Sequence, residues 1–163
     1  MSQRASDRAL LPASLAAALV LTIMPLPEVV QPMRPHWVAL VLIYWNLEGG
    51  RLRTMGSGFA LGLLLDGATG SLLGQHALGL VILCYLLERF HARIRFFPPW
   101  QQAAVVMALL FNDRVVHLWV VGLAGEGWPQ WSWWLSPLVS VLFWPWLFLL
   151  LDRLRRRARL RKA

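Results

Sequence analysis

Long apolar stretches constrain this chain more than any other feature of its sequence. The segments 9–24, 101–123 and 131–151 are almost entirely apolar. A helix on the surface of a soluble domain needs a polar face toward water, and several segments here have none. About 20 apolar residues are enough for a helix to cross the hydrocarbon core of a bilayer. The pattern therefore predicts an all-α integral membrane protein.

We predict a bundle of about six transmembrane helices that forms one domain over residues 1–163. The predicted helices are about 9–24, 36–47, 54–67, 74–90, 100–123 and 131–151, followed by a short basic tail at 152–163. The second and third are short, because about thirteen residues extend over only about 20 Å while the bilayer core is about 30 Å thick. Flanking residues, a thinner bilayer or shielding by neighbouring helices would accommodate them.

The basic residues support six spans and assign a side of the membrane to each connection. Arginine and lysine concentrate in the cytoplasmic segments of membrane proteins. With the N-terminus inside, fourteen of the sixteen bases fall in predicted cytoplasmic segments. They are Arg4, Arg8, Arg51, Arg53, Arg89, Arg93, Arg95, Arg153, Arg155, Arg156, Arg157, Arg159, Arg161 and Lys162. Both termini are therefore predicted to be cytoplasmic, and joining the second and third helices would destroy the alternation.

The aromatic residues and the position of the charges also fit a bilayer. Of ten tryptophans, five fall near the predicted outer face and two, Trp45 and Trp100, near the inner face, as expected for interfacial rings. The five are Trp37, Trp128, Trp131, Trp133 and Trp134. The bases flank apolar segments, so the net charge of +8 does not indicate a nucleic-acid partner. Membrane lipid is the expected contact of the basic tail.

A ladder of small residues with a period of four crosses the third predicted helix. Its members are Gly58, Gly62, Asp66, Gly70 and Gly74. Glycines four apart share a helix face and allow another backbone to approach closely. The ladder therefore indicates either tight packing within the bundle or a face that binds a partner's membrane helix. Asp66 interrupts it, and its carboxylate is expected to cap the following turn or accept hydrogen bonds from that loop.

A polar group lies near the middle of the fifth predicted helix. It consists of Asn112, Asp113, Arg114 and His117. Ionisable residues at that depth are candidates for function. Asp113 and His117 are four apart and share a face, whereas Arg114 points about 100° away and needs another helix, a water-filled cavity or the interface. The group indicates a buried polar lock between helices, or alternatively a proton relay or catalytic site.

The sequence contains no motif that indicates a cofactor, a metal or a catalytic nucleophile. A glycine-rich phosphate loop, a CxxC pair, an HExxH motif and a GxSxG motif are all absent. The histidines at 36, 76, 91 and 117 show no metal-ligand spacing. The single cysteine, Cys84, excludes an internal disulfide.

Several stretches, in this order and spacing, resemble the MreD family of rod shape-determining proteins of Gram-negative bacteria. They run from Met24-Pro25-Leu26-Pro27 through the ladder above to the last helix. The residues that carry the pattern include Pro35, Trp37, Tyr44, Trp45, Trp100, Gln101, Gln102, Trp144, Pro145 and Trp146. Pro145 lies within a predicted helix, where it removes one hydrogen bond and favours a kink. The Asn112-Asp113-Arg114 run departs from the family pattern at its arginine.

The resemblance implies a non-enzymatic scaffold or regulator in the inner membrane, within the elongation complex that builds the lateral peptidoglycan wall. The implied partner is MreC, a single-pass membrane protein, held through intramembrane helix packing. RodA, a class B penicillin-binding protein, RodZ and MreB are implied as further members of the complex. The resemblance also implies a fold similar to the substrate-binding subunits of energy-coupling vitamin transporters.

Two alternatives come from other functional classes. An intramembrane aspartyl hydrolase of the lipoprotein-signal-peptidase type would use Asp66 and Asp113, one protonated and one charged, to activate water. The spacing of Asn112-Asp113-Arg114 and the predicted helix number do not fit that type. A small-molecule-binding transporter subunit would hold its ligand between helices, although no cluster in the sequence identifies one.

Overall fold

The structure, a computed structural model, describes residues 2–49, 55–125, 127 and 130–160. Within these residues the chain is helical and has no β-strand. The α-helices are α1 (Ser2–Ile23), α2 (Trp37–Tyr44), α3 (Met55–Thr69), α4 (Gln75–Ile94), α5 (Pro99–Leu123) and α6 (Leu135–Leu160). A π-helical segment, Trp45–Gly49, prolongs α2, and 3-10 turns lie at Gln31–Met33 and Trp131–Trp134.

The prediction of six helices is confirmed, and the differences concern where the helices end. α1 begins at Ser2 rather than at residue 9, and α6 continues to Leu160, through most of the stretch expected to be a separate tail. That stretch is rich in arginine and leucine, which favour helix, and contains no glycine or proline to end it. Five residues used to assign the membrane sides lie outside the described residues. They are Arg51, Arg53, Trp128, Arg161 and Lys162.

Helix α2 occupies the centre of the bundle. Every residue from Val38 to Tyr44 is at most 5% exposed. α2 packs against α1, α4, α5 and α6. A helix that is apolar on all sides can be buried on all sides, and the run Val38–Tyr44 has no polar side chain apart from the tyrosine hydroxyl. Among the three ways to accommodate a short helix, the structure therefore shows shielding by neighbours for α2.

The lengths of the helices leave space at one end of the bundle. α2 and its π-helical extension contain 8 and 5 residues and rise about 20 Å, whereas α5 with its 25 residues extends over about 38 Å. The connection from α1 and the 3-10 turn before α6 lie over the N-terminus of α2. There His36 donates its backbone N–H to Ser140 Oγ at 2.9 Å, and Ser136 Oγ donates to the carbonyl of Arg34.

The opposite end of the bundle carries the basic side chains. His91 Nε2 donates to the Leu47 carbonyl at 3.1 Å, and Arg155 donates to the Glu48 carbonyl at 3.1 Å. These bonds join the C-terminal ends of α2, α4 and α6. Arg93 and Arg156 lie at the same end of α4 and α6. The bundle therefore has a basic end and a second end, beyond α2, that holds a cavity described below.

Helices α3 and α4 approach each other at two glycines. A methyl group added to Gly62 would overlap the backbone of Ala77, and one added to Gly58 would lie 2.8 Å from the Leu80 carbonyl oxygen. Gly62 and Gly58 therefore pack α3 against α4 of the same chain. That face is not open to another protein.

The remaining members of the ladder do not lie on α3. The helix ends at Thr69, and Gly70 and Gly74 have positive φ of 66° and 97° in the following turn. These values belong to the left-handed region, which glycine adopts without strain. Only Gly58, Gly62 and Asp66 of the predicted helix-packing or partner face therefore lie on α3, and Gly70 and Gly74 belong to the turn that follows it.

The outer surface of the bundle is rich in large apolar side chains. Trp119 is 72% exposed and Leu142 is 78% exposed, and Leu64, Phe59 and Leu138 are more than half exposed. Within the described residues, two helical stretches, Trp100–Leu123 and Trp131–Ala158, are long and apolar enough to cross a membrane. The shorter Ala9–Ile23 stretch is also apolar.

The close approach of α3 and α4 leads to a first prediction. Gly62→Ala should lower the free energy of unfolding by about 1–3 kcal/mol, because the added methyl has no room against the Ala77 backbone. Gly67→Ala on the same helix is the matched control, since nothing lies within 4 Å of the added carbon. Unfolding of the detergent-solubilised protein by heat or denaturant measures both, and equal stabilities would contradict the packing.

Candidate functional site

A cavity of about 500 Å³ lies beyond the N-terminus of α2. Its floor is formed by the residues from His36 to Ala39, and its walls come from α1, α3, α4 and α5, from the connection between α1 and α2, and from the segment between α5 and α6. The ionisable side chains that line it are Arg34, His36, His76, Asp113, Arg114 and His117. Trp37, Leu65, Leu80 and Trp133 contribute apolar walls. We call this space the polar cavity.

Asp66 lies beside the polar cavity and holds the start of α4. Its Oδ2 accepts the backbone N–H of Gly74 at 2.8 Å, and its Oδ1 accepts the backbone N–H of His76 at 2.9 Å. Ser71 Oγ and His76 Nδ1 also contact Oδ1, at 2.9 and 2.8 Å. A carboxylate at a helix N-terminus satisfies free N–H groups and complements the helix dipole. Asp66 thus caps α4 from α3. It also accepts a hydrogen bond from Ser71 in the following loop, which is one of the two roles expected from the sequence.

Two histidines extend this arrangement toward α5. The rings of His76 and His117 meet edge to face, with their centroids 4.6 Å apart. His117 Nε2 is buried and has no hydrogen-bond partner, and the same holds for His36 Nδ1. The series Asp66, His76 and His117 therefore connects α3, α4 and α5 and ends at the cavity wall.

Arg114 points from α5 toward α6. Its guanidinium carbon lies 4.2 Å from the centroid of the Trp133 ring, in a cation–π geometry. Among the described ion pairs none involves Arg114, and its buried Nε has no hydrogen-bond partner. The sequence left open whether Arg114 would contact another helix, a cavity or the membrane interface. In the structure its side chain lines the polar cavity and lies over the Trp133 ring.

Asp113 faces α4 at a glycine. A methyl group added to Gly79 would overlap Asp113 Oδ1 and would lie 3.7 Å from His117 Cδ2. Asp113 and His117 therefore face the same part of α4, as expected for residues four apart. Asn112 lies outside the cavity lining, and its Nδ2 has no hydrogen-bond partner. Gly79 was not singled out from the sequence, because a lone glycine in a helix gives no sign of what packs on it.

The two aspartates of the hydrolase alternative do not share a cavity. Both oxygens of Asp66 accept hydrogen bonds from the start of α4, and Asp66 does not line the polar cavity that Asp113 lines. An aspartyl dyad needs both carboxyl groups on one water molecule. The described part of the chain therefore does not present this pair for such chemistry.

The described residues also contain no group of three His, Cys, Asp or Glu side chains arranged to hold a metal ion. His36 and His76 nevertheless join His117 at the polar cavity, although they are far apart in the sequence. Sequence spacing could not show this, because the three lie on different helices.

A second feature, the apolar groove, lies between α1 and α6 and encloses about 450 Å³. Ala13, Ala17 and Ala18 form its α1 side, and Leu147 and Leu150 lie on its α6 side. Trp37, Val41 and Trp45 of the α2 region form its floor. Small residues on the α1 side would allow the backbone of another helix to approach closely.

The residues that carry the family resemblance are divided between the core and the surface. Tyr44, Trp45 and Trp144 are at most 2% exposed. Trp45 Nε1 donates to Ser14 Oγ at 2.9 Å, and Trp37 packs on Phe143 with centroids 5.4 Å apart.

The other family-pattern residues lie at helix ends or on the outer surface. Pro35 lines the polar cavity, and Gln102 donates to the Ile94 carbonyl at 3.5 Å. Gln101 is partly buried beside it. Trp100 and Trp146 are 70% and 58% exposed, and Pro145 is also exposed.

Comparison with known proteins identifies relatives over nearly the whole chain. The family model described as rod shape-determining protein MreD matches residues 3–154. The rod shape-determining protein MreD of Haemophilus influenzae is 34% identical over 143 residues, which is 88% of this chain and 88% of that protein. No solved structure matches the sequence.

The cap at α4 gives a second prediction. Asp66→Asn should lower the free energy of unfolding by about 2 kcal/mol, because an amide loses the charge and one acceptor toward the N–H groups of α4. Asp152→Asn removes an exposed pair with Arg156 and should change stability by about 0.5 kcal/mol or less. Thermal unfolding in detergent compares them, and an unchanged midpoint for Asp66→Asn would contradict the cap.

Proposed function

The chain belongs to the MreD family of rod shape-determining proteins, and on that basis we propose that it is a non-enzymatic membrane scaffold that holds MreC in the rod-shape elongation complex. Membership itself supports a role in rod shape determination. The proposal adds three steps to it, which are insertion of the bundle in the inner membrane, a fixed orientation there, and a docking site for one membrane helix.

The observation that supports membrane insertion is the apolar surface. Soluble monomers rarely expose apolar patches larger than a few hundred Å², whereas here Trp119 of α5, Leu142 of α6 and Leu64 of α3 have large exposed fractions. The core meanwhile holds charged groups such as Asp66 and Arg114. Polar groups inside and apolar groups outside are expected for a bundle in lipid.

The proposed orientation follows from the two ends of the bundle. The basic end carries Arg89 and Arg93 of α4, Arg95 directly after it, and the arginines of α6. Because cytoplasmic segments are enriched in arginine and lysine, this end is proposed to face the cytoplasm, with both termini. The polar cavity then opens toward the outer face of the inner membrane.

The apolar groove is the proposed docking site for the membrane helix of MreC. Gly58 and Gly62 of α3 cannot serve, because α4 already covers them. On α1, Ala13 and Ala17 are exposed and open into the groove, and the large side chains of α6 form the facing wall. Close contact between membrane helices favours small residues on one side. The groove is lined almost entirely by apolar side chains, as a single apolar helix requires.

The other members of the complex would be reached through this pair. RodA, the class B penicillin-binding protein, RodZ and MreB are proposed to assemble with MreC and this bundle in the membrane. The fold is also proposed to be similar to the substrate-binding subunits of energy-coupling vitamin transporters. A scaffold needs no catalytic group. Asp66 does not line the polar cavity with Asp113, which argues against a hydrolase that uses this pair.

Filling the apolar groove tests the docking site. Ala17→Phe should reduce recovery of MreC with the tagged protein about tenfold or more, which corresponds to about 1.4 kcal/mol or more of binding free energy, because the ring occupies the channel. Ala16→Phe is the matched control, since Ala16 is exposed on the same helix but lies outside the groove. Both proteins should reach the membrane in equal amounts.

Equal recovery of MreC with Ala17→Phe and Ala16→Phe would overturn the groove as the docking site. Loss with both variants would place the contact on α1 but outside the groove. If Ala17→Phe retains MreC but releases a bound fatty-acyl chain, the groove would be assigned to lipid instead.

Labelling of single cysteines tests the orientation. With Cys84 replaced by alanine, Leu73→Cys lies before α4 and Phe96→Cys lies after it, and both native side chains are more than 80% exposed. A membrane-impermeant maleimide added to spheroplasts should label Leu73→Cys, and should label Phe96→Cys only after the membrane is opened. The reverse pattern, or labelling of both in closed spheroplasts, would contradict the proposed orientation.

A further inference from the structure

Arg114 is a buried cation without an ionic partner. It is 9% exposed, and no described carboxylate oxygen lies within 4.0 Å of it. Arginine keeps its positive charge in proteins, and an unpaired buried charge is strongly unfavourable. The Trp133 ring at 4.2 Å compensates this cost only in part. Asp113, the preceding residue on α5, is near enough to interact with Arg114 electrostatically but forms no ion pair with it, so the guanidinium has no directly paired anion among the described residues.

The polar cavity supplies space for such an anion beside Arg114. Two guanidinium groups and one carboxylate, Asp113, line it together with three imidazoles, so its fixed charge is positive. The terminal nitrogens of Arg34 already donate to the Thr22 and Met24 carbonyls at the end of α1. Arg114 is thus the cavity's free guanidinium among the described residues.

Two imidazole nitrogens and the N-terminus of α2 lie at the same space. His36 Nδ1 and His117 Nε2 have no partner within the described part of the chain. α2 begins at the cavity, with His36 in its lining, whereas the start of α4 is already capped by Asp66. The N-terminus of a helix carries a partial positive charge and favours anions. A phosphate, with three or four acceptor oxygens, suits this number of donors better than a carboxylate with two.

We propose that the polar cavity binds a phosphate group through Arg114, with the imidazoles of His36 and His117 beside it. The volume of about 500 Å³ lies in the range of small-molecule sites. Asp113 faces the cavity as an acceptor for a hydroxyl or ammonium group next to the phosphate. The same chemistry occurs in a phospholipid headgroup and in a free phosphate monoester. This inference is independent of MreC binding.

Thermal unfolding in detergent micelles tests the site with three probes. Inorganic phosphate, O-phosphoethanolamine and phosphatidylethanolamine are each titrated at fixed ionic strength against chloride. At least one should raise the midpoint in a saturable way, by about 5 °C or more at a hundredfold excess over its Kd. Arg114→Gln should weaken binding about tenfold or more, and Arg114→Lys should weaken it less.

Arg156→Gln is the matched control, because Arg156 is an exposed arginine at the opposite end of the bundle. This substitution should leave binding of the probe unchanged. Stabilisation by phosphoethanolamine identifies a soluble monoester as a sufficient ligand. Stabilisation by the lipid alone identifies a headgroup. Either result supports the site if Arg114→Gln abolishes the stabilisation by that probe.

A second readout does not require a stable Arg114 variant. In protein labelled with 5-fluorotryptophan, the resonance of Trp133 is assigned with Trp133→Phe. It should shift as the same probe is added, because the Arg114 guanidinium lies over the Trp133 ring. Absence of saturable stabilisation and of any Trp133 shift with all three probes would overturn the proposal. Equal stabilisation of wild type and Arg114→Gln would also overturn it.

Discussion

The burial of a short helix among longer ones determines the rest of this structure. The residues from Val38 to Tyr44 contact neighbours on every side, so α2 forms the core around which the other helices pack. Because α2 is about 20 Å long, it fills only part of the bundle's height. The polar cavity is the space left beyond its N-terminus, and Trp37, Val41 and Trp45 of the α2 region form the floor of the apolar groove between α1 and α6.

The polar groups follow from this geometry. Charges such as Asp66 and Arg114 are costly in an apolar core unless they are bonded or hydrated. Asp66 meets that condition through the N–H groups of α4. Arg114 meets it in part through Trp133 and lies beside the cavity. Asp66 therefore stabilises the fold, whereas Arg114 is the residue through which we propose that the cavity binds a phosphate group.

Sequence reasoning predicted the helices well because their signal is local. Apolar runs bounded by Pro25-Leu26-Pro27, Gly70 and Pro98 determine six helices without any knowledge of their packing. The ends were less accurate, as α6 shows, because arginine continues a helix as readily as leucine does. The family was also recognisable, from the order of aromatic and proline positions.

The candidate sites were harder to predict because they depend on contacts between distant segments. The period of four at Gly58 and Gly62 showed close packing but not the identity of the partner, which is α4. His36, His76 and His117 line the same cavity although they lie before α2, on α4 and on α5. The groove uses alanines of α1 that are unremarkable in sequence. In each case the missing information was which helix faces which.

The most direct test of a lipid-facing surface around a buried core uses two tryptophans of α6. Trp144 is 2% exposed and Trp146 is 58% exposed, although only Pro145 separates them. In 5-fluorotryptophan-labelled protein in bicelles, with resonances assigned by Trp144→Phe and Trp146→Phe, a spin-labelled acyl chain should broaden Trp146 strongly and Trp144 little. Equal broadening of the two, or none of either, would contradict the proposed membrane bundle.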